Sequence, residues 1–167
     1  KKQADFVVLH SSFVDFKKFN TRQILTLTLK EIAKLAEHST VAIPSFTPGF
    51  TRTKRYHYLE SQSETGILST AVQQELSGLR TRHPVYSFTL LGPHAKRLSL
   101  IDWWRAEPFG AGSFFEELGR YHSLIGMIGT YSLAHPHRRE QSAAVPYFHH
   151  RICVGEMTFE TGTICTG

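Results

Sequence analysis

The sequence predicts an α/β protein. Three observations carry that expectation. An apolar stretch, a capped amphipathic segment and a second apolar stretch follow one another over residues 6–46. A helical repeat over residues 67–76 runs into an alternating stretch at 85–91, and a further apolar run at 123–128 follows two more helix starts. At 167 residues, 41% hydrophobic and 20% charged, the chain has the size and composition of one globular domain and lies far from the disordered class. It begins at Lys1 with no leader pattern, so a trimmed chain, incomplete at both ends, is allowed for.

Phe6-Val7-Val8-Leu9-His10 is a short run suited to a buried strand, and it ends in His10-Ser11-Ser12. Asn20, with Gln23 three residues on, is a box-like helix start, and Ile24, Leu27, Ile32 and Leu35 give one apolar face as far as about Ala36. Residues 40–46 return as a strand closed by Pro44. Strand, crossover helix and strand make a parallel pair with a right-handed connection. Ligands gather beyond the carboxyl ends of such strands, so His10-Ser11-Ser12 and Pro44-Ser45-Phe46-Thr47 face one crevice. Their hydroxyls suit either a ligand or the closing of their own turns.

Residues 48–63 lack periodicity, carry the basic Arg52, Lys54 and Arg55, and read as a long surface loop. Ile67, Leu68, Ala71, Val72 and Leu76 recur at helical spacing, with Gly78 as the expected stop. Pro84 biases His83 toward extended geometry, and the alternation over 85–91 puts this histidine at a stiffened strand entrance. An imidazole with a pKa near ~6.5 held there suits a general base; a loop histidine beside a turn proline is the plainer reading. After Gly92-Pro93 a helix is expected through Leu98, Ile101 and Trp104. Pro108-Phe109-Gly110-Ala111-Gly112-Ser113 then leads into a capping box, Ser113 with Glu116, whose N–H groups are a candidate anion contact. A last strand is expected around 147–154.

Cys153 and Cys165 are too few for a disulfide framework, which points to a reducing cytoplasm. The net charge of +5 comes from scattered residues and suggests mild attraction for phosphate-bearing ligands. No nucleic-acid motif appears and no run approaches the ~18 apolar residues of a membrane span, so neither partner is expected. His135, His137, Glu140, His149 and His150 could be combined into a zinc set, which keeps a metal-dependent hydrolase as a lesser alternative; their spacing matches no zinc signature and no metal is expected. Gly-x-Ser-x-Gly is absent, which leaves a serine hydrolase without support.

Six fragments occur in one order: Leu9-His10-Ser11-Ser12, Ile43-Pro44-Ser45-Phe46-Thr47, Thr65-Gly66-Ile67-Leu68, Arg80-Thr81-Arg82-His83-Pro84, Pro108-Phe109-Gly110-Ala111-Gly112-Ser113 and His137-Arg138-Arg139-Glu140. Over nearly the whole chain this order resembles the aminoglycoside 3-N-acetyltransferase family. The resemblance implies an α/β/α sandwich, with a mixed, partly parallel central sheet flanked by helices on both faces. It also implies transfer from acetyl-CoA to an amine of an aminoglycoside, an amino sugar or another small molecule. The family's Arg-Ser/Thr-x-His-Pro histidine falls on His83, the expected general base, and its His-x-x-Glu pair falls on His137 and Glu140. The expected cofactor contacts are His10, Ser11, Ser12, Thr81, Phe109, Gly110 and Ser113. The chain departs from the family pattern at Ala134, where Thr is common, and at Phe148, where Arg is common, and it is shorter than family members. Those departures keep a catalytically inactive binding module as the alternative.

Overall fold

The computed structural model describes residues 3–13, 20–105, 107–130 and 153–166. In chain order these form β1 (Phe6–Ser11), α1 (Thr21–Ala36), β2 (Thr40–Pro44), α2 (Phe50–Thr53), β3 (Arg55–His57), α3 (Ile67–Leu76) and β4 (Leu79–Arg80). Next come β5 (Phe88–Leu91), α4 (Ala95–Ser99), a 3₁₀ turn (Trp103–Arg105), α5 (Phe114–Leu118), β6 (Ser123–Ile128), β7 (Gly155–Phe159) and β8 (Gly162–Thr166). Five strands make the main sheet in the order β4-β5-β2-β1-β6, and β3-β7-β8 make a small second one. In the main sheet β1 runs parallel to β2 and β6, whereas β5 is antiparallel to both β2 and β4.

Alternation along the strands divides the core into two layers. Phe6, Val8, Ala42, Phe88 and Leu90 face α4 and α5, which return Leu98, Phe114, Phe115 and Leu118. Val41 and Ile43 face the opposite way, against Leu29 and Ile32 of α1 and Leu68 and Val72 of α3. The sheet is thus covered on both sides, the expected sandwich. Fully enclosing each Phe or Leu is worth about 1.5–3 kcal/mol, so these two layers dominate stability. A third cluster, Phe50, Tyr56, Tyr58, Met157 and Phe159, holds the small sheet.

The first unit forms as expected. Asn20 caps α1 by accepting from the Gln23 N–H at 3.2 Å, and β1 and β2 pair in parallel around the helix. Three expectations are corrected. The 48–63 segment contains α2 and β3, whose partner β7 lies a hundred residues downstream and leaves no local trace. α3 ends at Ser77 in the left-handed conformation, φ 55°, while Gly78 serves packing: a Cβ there would lie 2.8 Å from both Thr89 and Val72. α4 stops at Ser99 because the Trp103 indole donates to the Leu98 carbonyl at 2.9 Å and the Trp104 N–H donates to the Arg82 carbonyl at 3.1 Å. The last strands are β7 and β8; most of the stretch expected as a strand at 147–154 lies outside the described residues. Among the described residues no helix is long and apolar enough to cross a membrane.

Candidate active site

The sheet collects the candidate residues at one end. β1 and β2 finish in parallel at Ser11 and Pro44, and β5 starts opposite, Phe88 facing Pro44. The hairpin between β4 and β5, residues 81–87, therefore lies beyond the carboxyl end of β2. Thr65 joins it, accepting from the Phe46 N–H at 3.1 Å and donating to the Pro44 carbonyl at 2.8 Å. Gly66, at φ 110°, sets the start of α3 beside the Ser11 carbonyl, with no side chain capping that helix. Phe109 reaches the same end through Tyr86: the Tyr86 ring lies 4.9 Å from Phe109 and 5.7 Å from His83. His10, Ser11, Thr81, His83 and Phe109 thus share an edge. His137 and Glu140 lie outside the described residues.

His83 is the most constrained of the set. Its own N–H donates to the Thr81 carbonyl at 3.1 Å, and its Nδ1 accepts from the backbone N–H groups of Val85 at 3.0 Å and Tyr86 at 2.9 Å. Two donors aimed at Nδ1 commit its lone pair, so the neutral ring carries its hydrogen on Nε2. Burial acts in the same direction, pushing the imidazole pKa down to about 4. A ring in this tautomer donates from Nε2 and has no free lone pair to receive a proton, which runs against the general-base role expected from the sequence. The same bonds explain why β5 starts at Phe88 rather than at 85: the ring intercepts the N–H groups of Val85 and Tyr86.

The hairpin is closed all round. Thr81 donates its N–H to the Phe88 carbonyl and accepts from the Phe88 N–H through Oγ1, both at 2.8 Å, with no exposed surface. Its N–H is spent within the fold, so a cofactor contact from Thr81 is not offered by that group. Thr47 holds the hairpin's other side, donating its hydroxyl to the Pro84 carbonyl and its N–H to the Val85 carbonyl at 2.9 Å.

Below the turn lies a buried polar layer. Arg80 is 7% exposed and donates from Nε to Ser87 Oγ at 2.9 Å, from Nη2 to the Ser45 carbonyl at 2.7 Å and from Nη1 to the Ser61 carbonyl. Its guanidinium sits 5.4 Å from the centre of the Tyr56 ring, and burial lowers its pKa from the ordinary value. The Tyr58 hydroxyl donates to the Arg80 carbonyl at 2.5 Å; burial, then Glu160, pushes that phenol up to about 12. Ser45 and Thr89 hydroxyls meet at 2.5 Å, and Gln73 donates to Thr89 at 2.8 Å. Ser61, Thr65, Tyr56 and Tyr58 of this layer were not legible as site residues. Thr65 stood in one of the ordered fragments without a role, and the Tyr56, Tyr58 alternation is too short to stand out.

The other cofactor candidates divide. Ser11 pairs with β6 opposite Ile128, and the Ser12 N–H donates to the Ile128 carbonyl at 2.8 Å. His10 is 7% exposed. In the 108–113 loop several of the expected N–H groups are in use. Glu116 Oε2 accepts from the Gly112 N–H at 2.7 Å, and Ser113 Oγ accepts from the Glu116 N–H at 3.1 Å. The Gly110 N–H donates to the Glu107 carbonyl at 3.2 Å and the Ser113 N–H to the Gly110 carbonyl at 3.3 Å. No three His, Cys, Asp or Glu residues group to hold a metal among the described residues; His135, His149 and His150, like His137 and Glu140, lie outside them.

Fold and site define an α/β/α domain that presents a fixed histidine at the carboxyl end of its parallel strands. The model of the family "Aminoglycoside 3-N-acetyltransferase" matches residues 8–158, and the chain belongs to that family. Among solved structures it is similar to the aminoglycoside acetyltransferase AAC(3)-Xa, with a TM-score of 0.72 and 16% identity over 97% of this chain and 64% of that one. It is also similar to the YokD protein from Bacillus subtilis, with a TM-score of 0.74 and 17% identity over 99% of this chain and 73% of that one. A third is AAC-IIIb in a binary complex with CoASH, with a TM-score of 0.72 and 17% identity over 98% of this chain and 68% of that one. The chain therefore spans just under two thirds of the AAC(3)-Xa length. No curated protein matches the sequence.

Proposed function

We propose that this chain, as a single acetyltransferase-like domain, transfers acetyl from acetyl-CoA to an amine of an aminoglycoside, an amino sugar or another small molecule in the cytoplasm. The observation that carries the reading is the family match over residues 8–158, falling on a histidine whose Nδ1 is locked and whose Nε2 hydrogen remains to donate.

In the reaction the ammonium form first loses a proton, and the nitrogen lone pair then attacks the thioester carbon. An N–C bond forms, the C–S bond breaks and the thiolate leaves as CoA thiol with a proton. Negative charge develops on the carbonyl oxygen, where a fixed donor in a dry site is worth most. His83 Nε2–H supplies that donor. Proton removal passes to His137 with Glu140, which enter through the family motif. Neither cysteine is needed, since direct attack requires no acyl-enzyme.

Replacing His83 separates donor from base. Glutamine places an N–H close to the position of Nε2, whereas alanine removes it. His83→Ala is expected to lower kcat about 100-fold, the usual cost of losing one oxyanion donor. His83→Gln is expected to keep at least about tenfold more activity than His83→Ala. Thiol release from acetyl-CoA over a panel of amines measures both. Equal losses in the two variants, together with an acid limb near pH 4 that disappears with His83, would restore the base. Acetyl-CoA binding without thiol release for any amine would favour the inactive module.

A further inference from the structure

Arg80 is a buried cation without a carboxylate partner among the described residues. Buried charges are ordinarily paired with an opposite charge. Here the guanidinium is satisfied by neutral oxygens on three separate segments: Ser45 after β2, Ser61 after β3, and Ser87 at the end of the His83 hairpin. The Ser87 hydroxyl also donates to the Ser45 carbonyl at 2.7 Å, so one carbonyl oxygen receives both Ser87 and Arg80. Ser45 and Ser87 are tied again through backbone, the Ser45 N–H donating to the Ser87 carbonyl at 2.8 Å. Every one of these contacts lies beneath the turn in which Val85 and Tyr86 hold His83 Nδ1.

The geometry needs a planar fork rather than a charge. Three nitrogens of one rigid group meet acceptors in three directions, which an ammonium on a flexible stem does not reproduce. A site built around a carboxylate would neutralise the cation but would fix fewer segments.

We propose that Arg80 is a positioning residue for His83: its guanidinium joins the 45–47, 61 and 87 segments and thereby fixes the turn that aims the Nε2 hydrogen. The assignment of a catalytic use to that hydrogen rests on the acetyl-transfer reading above, whereas the mechanical role does not. Two variants test it. Arg80→Lys keeps the charge and loses the fork. Ser87→Ala removes the Nε seat together with the hydroxyl's own bond to the Ser45 carbonyl and, as a small change, keeps the test open if Arg80→Lys does not fold. In folded protein, nitrogen resonances of labelled histidine, assigned to His83 with the His83→Gln variant, are expected to shift in either variant. For Arg80→Lys, kcat is expected to fall about 10- to 100-fold, the scale of a misplaced group, while the Kd for CoA stays within about twofold. Unmoved His83 resonances in folded Ser87→Ala, or wild-type kcat in folded Arg80→Lys, would overturn the proposal. Shifted resonances in a chain inactive toward every amine would sink acetyl transfer and leave the positioning role standing.

Discussion

The backbone claims one edge of the His83 ring and leaves the other. Its pKa of about 4 in the fold, against ~6.5 unfolded, turns that arrangement into a stability statement. Between those values the unfolded chain binds a proton that the folded chain refuses, so stability rises with pH across the window. The contribution is complete above about pH 6.5 and is lost progressively toward pH 4, on the order of 3 kcal/mol in all. Asparagine at this position keeps an acceptor for the two N–H groups and does not titrate. Urea unfolding at pH 4.5 and 7 is therefore expected to show a steeper pH dependence for the wild type than for His83→Asn. Equal slopes would mean that the folded ring accepts a proton as freely as the unfolded one.

At the scale of elements, legibility followed the range of the determining contacts. α1 was readable because Asn20 and its apolar stripe act within a few residues, and β1 and β2 because their apolar runs are continuous. β3 was not, because three residues gain meaning only from β7, and the late start of β5 was not, because a side chain rather than a strand takes its first N–H groups. α5 shows how one local signal can serve two uses. Ser113 and Glu116 were read as a capping box; Ser113 does cap the helix, and Glu116 reaches back one residue further, to the Gly112 N–H, so two of the N–H groups an anion could have used are taken. A five-residue helix does not stand without such support. Ser113→Ala is expected to cost about 1 kcal/mol, a fall of roughly 2–4 °C in Tm, while leaving the Kd for acetyl-CoA within about twofold. A large loss of acetyl-CoA affinity at unchanged Tm would return Ser113 to the cofactor contacts.

Across the whole molecule, the histidine hairpin is the piece on which both sheets bear. On one side Tyr86 packs with Phe46 and the main core; on the other Val85 and Trp104 join the core of the small sheet. Strand order could not be read from hydrophobic pattern, because the placement of β5 beside β2 in the opposite sense is a tertiary choice. Arg82 makes the second attachment. It pairs with Glu160 in the β7–β8 turn at 2.8 Å and with Asp102 at 3.5 Å, and its guanidinium lies 5.9 Å from the Tyr58 ring and 5.8 Å from the Phe159 ring. Glu160 is half exposed, so its ion pair alone is weak, whereas the Arg82 side chain is mostly enclosed and carries the packing as well. A double-mutant cycle of Arg82→Met with Glu160→Gln is therefore expected to give a coupling below about 1 kcal/mol, with Arg82→Met the costlier single change. Because Asp102 and both aromatic rings lose their cation only in the arginine variant, that variant is also the one expected to lower acetyl transfer. Equal effects of the two single changes would mean that the charge pair, rather than the arginine's packing, joins the small sheet to the site.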